Sequence, residues 1–290
     1  MIRAWLELAR ISNLPTVWTN IAAGWLLAGG GFDARLGWLL VAGSLMYTGG
    51  MVLNDAADVK FDREHRRQRP IPSGRVGSAT AWGVGLGLLA TGWILAVQPG
   101  AARWPIVTAL VVCILFYDFY HKPWSGAVWV MGLCRTLLML TAASPLLAVA
   151  GGELRIEVLH QALVLGAYIV GLTQVARAES VRGGVGTRAR VIARMLLLAP
   201  ALLALGAGLD ARARLAPLAA LVLIYLVWIE GCLRQIRRGG PDIGRAVGWL
   251  LAGIPLVDAL AVGRVSLPLA CIFVVLAPLL RLWQRWIAAT

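Results

Sequence analysis

Long apolar runs follow one another in quick succession along the chain, parted by short polar connections. A hydrocarbon core about 30 Å thick is crossed by roughly 20 mostly apolar helical residues, so each run reads as a transmembrane helix. The pattern predicts ten spans, at residues 14–31, 36–53, 79–97, 105–120, 127–150, 158–176, 191–209, 215–233, 246–262 and 267–286. The last pair also reads as one hairpin dipping into the bilayer. Such short connections leave no room for a separate soluble domain. Residues 1–290 are therefore expected to form one all-α bundle of nine to ten transmembrane helices.

Composition sharpens this picture. Of 290 residues, 59% are hydrophobic and 14% charged, against about 25% charged in water-soluble domains, which excludes a soluble globular protein. Apolar content this high excludes disorder as well. A net charge of +13 makes nucleic acid a partner to consider, but the distribution of that charge decides otherwise. One side of the ten-span layout carries 20 Lys and Arg and the other 6, with Arg135 left inside a span. Loops rich in Lys and Arg are retained in the cytoplasm, so both termini are predicted cytoplasmic, in the inner cell membrane. Topology and anionic lipid headgroups then explain the basic excess without nucleic acid. Residues 1–10 hold Arg3, Glu7 and Arg10 and lack a small-residue cleavage site, so no removable signal is expected there.

Other residue types add less. Cys113, Cys134, Cys232 and Cys271 fall inside predicted spans with no CxxC pair or His partner, and read as buried thiols. His65, His121 and His160 are too scattered for a ligand set. Gly83 and Gly87 form a GxxxG step, expected to let the third span pack closely on a neighbour.

Chemistry concentrates at the cytoplasmic end of the second span, in Asn54-Asp55-Ala56-Ala57-Asp58-Val59-Lys60-Phe61-Asp62. If the helix continues, Asn54, Asp58 and Asp62 project from one face, with Asp55 three residues before Asp58. Like charges at that spacing repel, so the stripe needs a cation or a group of arginines over it. Hard oxygen ligands without Cys or His suit Mg²⁺, held by one or two carboxylates while water and phosphate take the remaining positions. Arg66, Arg67, Arg69 and Arg75 bracket the turn Pro70-Ile71-Pro72-Ser73-Gly74 and set a stiffened basic loop against the acids. Together these groups suit a diphosphate that is bound and then leaves as an anion, with a lipid chain as its organic part. The alternative is an ordinary juxtamembrane loop whose acids pair with its own arginines.

At this point the chain resembles the UbiA superfamily of intramembrane prenyltransferases. Asn54-Asp55-x-x-Asp58-x-x-x-Asp62 matches that family's first Asp-rich motif, and Arg69-Pro70-Ile71-Pro72-Ser73-Gly74-Arg75 its RPxxSG segment. The resemblance implies a UbiA-like bundle whose central cavity opens at the cytoplasmic side. There a prenyl diphosphate is held through Mg²⁺, and its allylic carbon is captured by a small acceptor, often aromatic or lipophilic. It implies Asn54, Asp58 and Asp62 as Mg²⁺–diphosphate ligands, with Asp55 a weaker candidate, and Arg69 and Arg75 as aids to the phosphates or to loop order. Tyr117-Asp118-Phe119-Tyr120-His121-Lys122 is similar to the family's Tyr-x-x-x-Lys segment, with His121 at the Lys position and Lys122 one later. Lys122 is then expected to reach the diphosphate and Tyr117 to face the cavity; an interfacial aromatic belt with a positive-inside Lys is the plainer reading.

The family's second Asp-rich motif has no counterpart. Residues 172–182 contain no Asp, and their single acid, Glu179, sits between Arg177 and Arg182. That leaves Glu179 for weak metal binding, or Arg177 for direct neutralisation of phosphate. His121-Lys122, Met131-Gly132-Leu133-Cys134-Arg135 and the Glu179 loop are similar to a divergent EboC-type subgroup associated with small-molecule biosynthesis and export. Arg135, a charge inside a span, requires a partner. Asp258 is expected nearer the opposite side, so Arg135 is expected to meet the acceptor, the diphosphate or Glu179, or to bond helix carbonyls. Glu230 is expected to pair with Arg234. The resemblance thus implies a prenyltransferase, or alternatively a UbiA-like protein that binds or transports a lipid or pigment intermediate.

Overall fold

The computed structural model describes residues 2–147, 154–180, 187–208, 215–238 and 241–287, and every regular element among them is helical. α1 (Ile2–Leu8) is followed by α2 (Leu14–Leu27), α3 (Ala34–Ala57), α4 (Val59–His65), α5 (Ser78–Val97), α6 (Trp104–Tyr120) and α7 (Ala127–Ala143). The second half holds α8 (Ile156–Ser180), α9 (Thr187–Gly208), α10 (Leu215–Arg238), α11 (Pro241–Ala252), α12 (Ile254–Val262) and α13 (Leu267–Trp283). Among the described residues, six segments are long and apolar enough to cross a membrane: Ala34–Ala57, Ser78–Val97, Ala127–Leu146, Ile156–Arg177, Ala216–Arg238 and Asp242–Val262. Trp104–Tyr120 and Leu267–Trp283 are shorter apolar helices. Length and composition thus make this an integral membrane protein. The end of the predicted span 127–150 lies outside the described residues.

The ninth predicted span is broken in two. Pro255 has no N–H to return to the preceding turn, so the helix stops at Ala252 and restarts at Ile254. Side chains hold carbonyls near the break: Trp228 Nε1 donates to Trp249 O at 3.0 Å, and Tyr168 Oη to Leu250 O at 2.7 Å. Gln161 Nε2 donates to Val257 O at 3.1 Å. Gly253 N–H also reaches Trp249 O at 2.9 Å and Leu250 O at 3.1 Å, so these carbonyls keep partners, as hydrocarbon surroundings demand.

Two apolar cores flank a central hollow. One joins α3, α5 and α6 through residues such as Leu39, Met46, Leu89 and Leu110. The other joins α8 to α13 through Leu165, Leu197, Tyr225 and Val257. α2 and α7 contribute to both, with Val17 and Leu138 on one side and Ala23 and Met139 on the other. The close packing of α5 comes from other glycines than expected. Gly83 and Gly87 have open space beside them, whereas a methyl group on Gly92 would sit 2.6 Å from Met46 Cγ and 2.8 Å from Ala42 O. Gly85 and Gly92, seven residues apart, lie on the face that meets α3, and the GxxxG pair lies on the face turned away. Cys113, Cys134 and Cys232 are partly or fully buried free thiols; Cys271, expected to be buried, is exposed on α13.

Candidate active site

Two helices and the joint between them place the acids. α3 carries Asn54 and Asp55 in its last turn, Asp58 forms the joint, and α4 carries Asp62. Helical bonding continues across, with Asp58 N–H on Asn54 O at 3.0 Å and Asp62 N–H on Asp58 O at 2.9 Å. The stripe is nevertheless divided. At 3.6 residues per turn, seven residues bring a side chain back to nearly the same direction while eight overshoot by about 80°, so Asp62 aligns with Asp55 rather than with Asn54. Asp55 and Asp62 share the Arg69 guanidinium, at 3.1 and 2.9 Å, and Asp55 also takes Arg10 at 3.2 Å. Asp58 meets the end of α6 instead. There Lys122 Nζ lies 2.6 Å from one of its oxygens and His121 Nε2 3.3 Å from the other. Asn54 Nδ2 donates to Asp118 Oδ1 at 3.1 Å.

The basic loop is fixed by its own chemistry. Ile71 and Val76 are buried against Leu8 and Val52, and Gly74 takes φ 75°, a left-handed turn that suits glycine. Arg75 holds the loop together, bonding Glu7 at 2.9 Å, Ser73 Oγ at 3.1 Å and Gln68 O at 2.8 Å. Lys122 also lies 3.8 Å from the centroid of the Phe61 ring. Burial works against charge on Asp58, but hydrogen bonds from His121 and Lys122 outweigh it and hold the carboxyl below the usual carboxylate range. Asp58 is therefore an anion at neutral pH.

Beside this cluster opens a cavity of about 210 Å³. Arg10, Asn13, Tyr47, Tyr117, Asp118, Arg135 and Thr173 supply its polar lining, and residues such as Val17, Met46, Ile114, Leu172, Val247 and Leu251 the apolar remainder. Tyr117 lines it as expected, its ring stacked on His121 at 5.0 Å between centroids. Arg135 lines it too, but its partners differ from those expected. It donates to Asn20 Oδ1 at 2.7 Å and Thr16 Oγ1 at 3.2 Å, and Asn20 donates in turn to Asp258 Oδ2 at 2.6 Å. Asp258, expected to be out of reach, is thus joined to Arg135 through one amide. The amide of α2 bridges a gap that the positions of two charges along their own helices could not reveal.

Arg177 brings the end of α8 to the same region, donating to His121 O at 2.6 Å and Trp124 O at 3.3 Å. The side chain of Glu179, and Arg182 altogether, lie outside the described residues. Arg10, Asp118 and Asn20 are participants the sequence reading did not assign. Asp118 carried a signal, being an acid inside an apolar run. Arg10 carried none; its backbone is left-handed at φ 42°, and Tyr47 Oη reaches its carbonyl at 3.4 Å.

The donor chemistry fits Mg²⁺. All the candidate ligands are oxygens, and Asp62 Oδ1 and Asp118 Oδ2 are buried without a hydrogen-bond partner among the described residues. No three His, Cys, Asp or Glu side chains there are grouped to hold a metal ion unaided.

An apolar hollow among membrane helices, with acids and cations interleaved beside it, defines an intramembrane helical protein with a polar site at one end of its cavity. The model of the UbiA prenyltransferase family matches residues 16–246, and the chain belongs to that family. It is 31% identical over 119 residues to digeranylgeranylglyceryl phosphate synthase of Sulfolobus acidocaldarius, covering 41% of this chain and 42% of that one. It is 35% identical over 162 residues to 4-hydroxybenzoate octaprenyltransferase of Paracidovorax citrulli, covering 50% and 53%. The matches thus span about half or less of these relatives' length. Among solved structures, one described as digeranylgeranylglyceryl phosphate synthase in membranes superposes with TM-score 0.65 at 19% identity, covering 92% of this chain and all of that one. A UbiA homologue from Archaeoglobus fulgidus bound to DMAPP and Mg²⁺ superposes with TM-score 0.53 at 17% identity, covering 96% of each chain. At these identities the likeness is one of fold.

Proposed function

We propose that the protein transfers a prenyl group from an isoprenoid diphosphate to a small aromatic or lipophilic acceptor inside the membrane. The observation that carries this is the meeting of Asp55, Asp58 and Asp62 with Arg10, Arg69 and Lys122, and of Asn54 with Asp118, beside an apolar cavity that Arg10 and Asp118 line. The cavity takes the apolar chain, and the charged rim takes the diphosphate. Lys122, now on Asp58, and Arg69, now on Asp55 and Asp62, are the cations positioned to turn to phosphate oxygens. Asn54, Asp58 and Asp62 would hold Mg²⁺, which when bound would neutralise the diphosphate as a leaving group. The allylic C–O bond breaks with its electron pair leaving on diphosphate; the acceptor carbon then bonds to the allylic carbon and loses a proton. The Tyr117 ring, facing the cavity, stabilises positive charge on that carbon. Arg135, fixed through Thr16 and Asn20, faces the acceptor. The asymmetry of Lys and Arg supports placing the mouth, and both termini, in the cytoplasm.

The test is incubation of the purified protein in detergent with a panel of radiolabelled prenyl diphosphates, with and without Mg²⁺. Diphosphate release is expected to require Mg²⁺ and to be lost in Asp58→Ala combined with Asp62→Asn, while the variant still inserts. A second reading, an EboC-type protein that binds or moves a lipid or pigment intermediate, is favoured by the lack of any Asp in residues 172–182. Binding that persists in the double variant, with no release in either protein, would establish that reading and end the first.

A further inference from the structure

A second charged cluster lies where the end of α13 packs on α11. Arg281 Nη1 donates to Gln284 Oε1 at 2.9 Å, and the guanidinium lies 5.6 Å from the centroid of the Trp249 ring. Both heads rest on Gly248. A methyl group there would sit 2.9 Å from Arg281 Nη1 and 3.1 Å from Gln284 Oε1, so the absence of a side chain makes the cradle. Gln284 is 9% exposed, and its Nε2, beside the oxygen that accepts from Arg281, is buried with no hydrogen-bond partner among the described residues. Arg285 follows Gln284 in the chain, and Arg245 lies three residues before Gly248 on α11. Among the described residues, the carboxylate bonded to these three arginines is Asp242, on Arg245 at 3.0 Å. Cations gathered against their mutual repulsion, next to an unused amide donor, mark a place for an anion.

We propose that this cradle binds the phosphate of an anionic membrane lipid. The flanking surface selects a lipid over a free ion. Leu279, Leu282 and Trp286, 52%, 42% and 67% exposed, continue from the arginines as an apolar face on the same helix end. Basic side chains with an exposed Trp where an apolar helix ends suit headgroup depth. The site has a structural consequence, because Val247 and Leu251 of α11 line the central cavity. Gly248 and Trp249, on the same helix, hold the arginine side. A bound lipid would brace that wall of the cavity from outside.

The test is native mass spectrometry of delipidated full-length protein titrated with phosphatidylglycerol, phosphatidylcholine or inorganic phosphate. Phosphatidylglycerol is expected to bind, and Arg281→Gln combined with Arg285→Gln to weaken it by about tenfold or more, as loss of charge-assisted bonds implies. Arg63→Gln with Arg67→Gln, which removes the same charge from the other basic loop, is expected to leave binding unchanged. Gly248→Ala, which fills the cradle with every charge kept, is expected to weaken phosphatidylglycerol as the arginine variants do. Equal binding of phosphatidylcholine, equal losses in the two double variants, or saturation by inorganic phosphate alone would overturn the proposal.

Discussion

Single residues here act mostly through partners far off in sequence. Asn20 accepts from Arg135 and donates to Asp258, tying α2, α7 and α12 together with one amide. Its replacement by Leu would leave a guanidinium and a carboxylate in the apolar interior without their shared bridge. Asn20→Leu is expected to destabilise the protein by about 3 kcal/mol or more, the scale of breaking a buried charged network. Asp258→Asn, which keeps an oxygen for Asn20, should cost less, and thermal unfolding in detergent compares the two. Such bridges are the part of the site that sequence conceals. The acids 54 to 62 and the loop 69 to 75 stood out by their spacing, whereas Arg10 meets Asp55 across 45 residues and Asn54 meets Asp118 across 64. No local pattern announces a contact of that range.

Helices, by contrast, were legible, because a bilayer imposes a length and an apolar composition that a single chain displays openly. What the pattern did not give was which face of each helix meets a neighbour. Span 79–97 is apolar all round, so its GxxxG step had no counter-signal to show that it points away from α3. Gly92→Val is accordingly expected to cost about 1–3 kcal/mol through overpacking against Met46 and Ala42. Gly83→Val should leave the unfolding temperature nearly unchanged, since open space surrounds it. A reversed order of the two would show that α5 packs through the other face. The division of span 246–262 has a local cause in Pro255, yet Trp228, Tyr168 and Gln161 from other helices also bond carbonyls around it, which the span itself does not display.

Taken whole, the molecule sets two apolar cores around a central hollow, and beside that hollow lies a cluster whose charges already match. Three carboxylates, Asp55, Asp58 and Asp62, are met by three full cations, Arg10, Arg69 and Lys122. Charges so largely matched exert little standing pull on a visiting ion, and what pull remains sits at Asp62 Oδ1 and Asp118 Oδ2, which have no hydrogen-bond partner among the described residues. Under the proposed function, magnesium alone would have to displace a lysine or an arginine, and a diphosphate alone would leave an aspartate bare. Bound together, each would take the partner that the other releases. Titration calorimetry should therefore find donor affinity without divalent ions about tenfold or more weaker than with them, on the scale of one unmatched charged contact. Equal affinities would mean the rim opens by some other route.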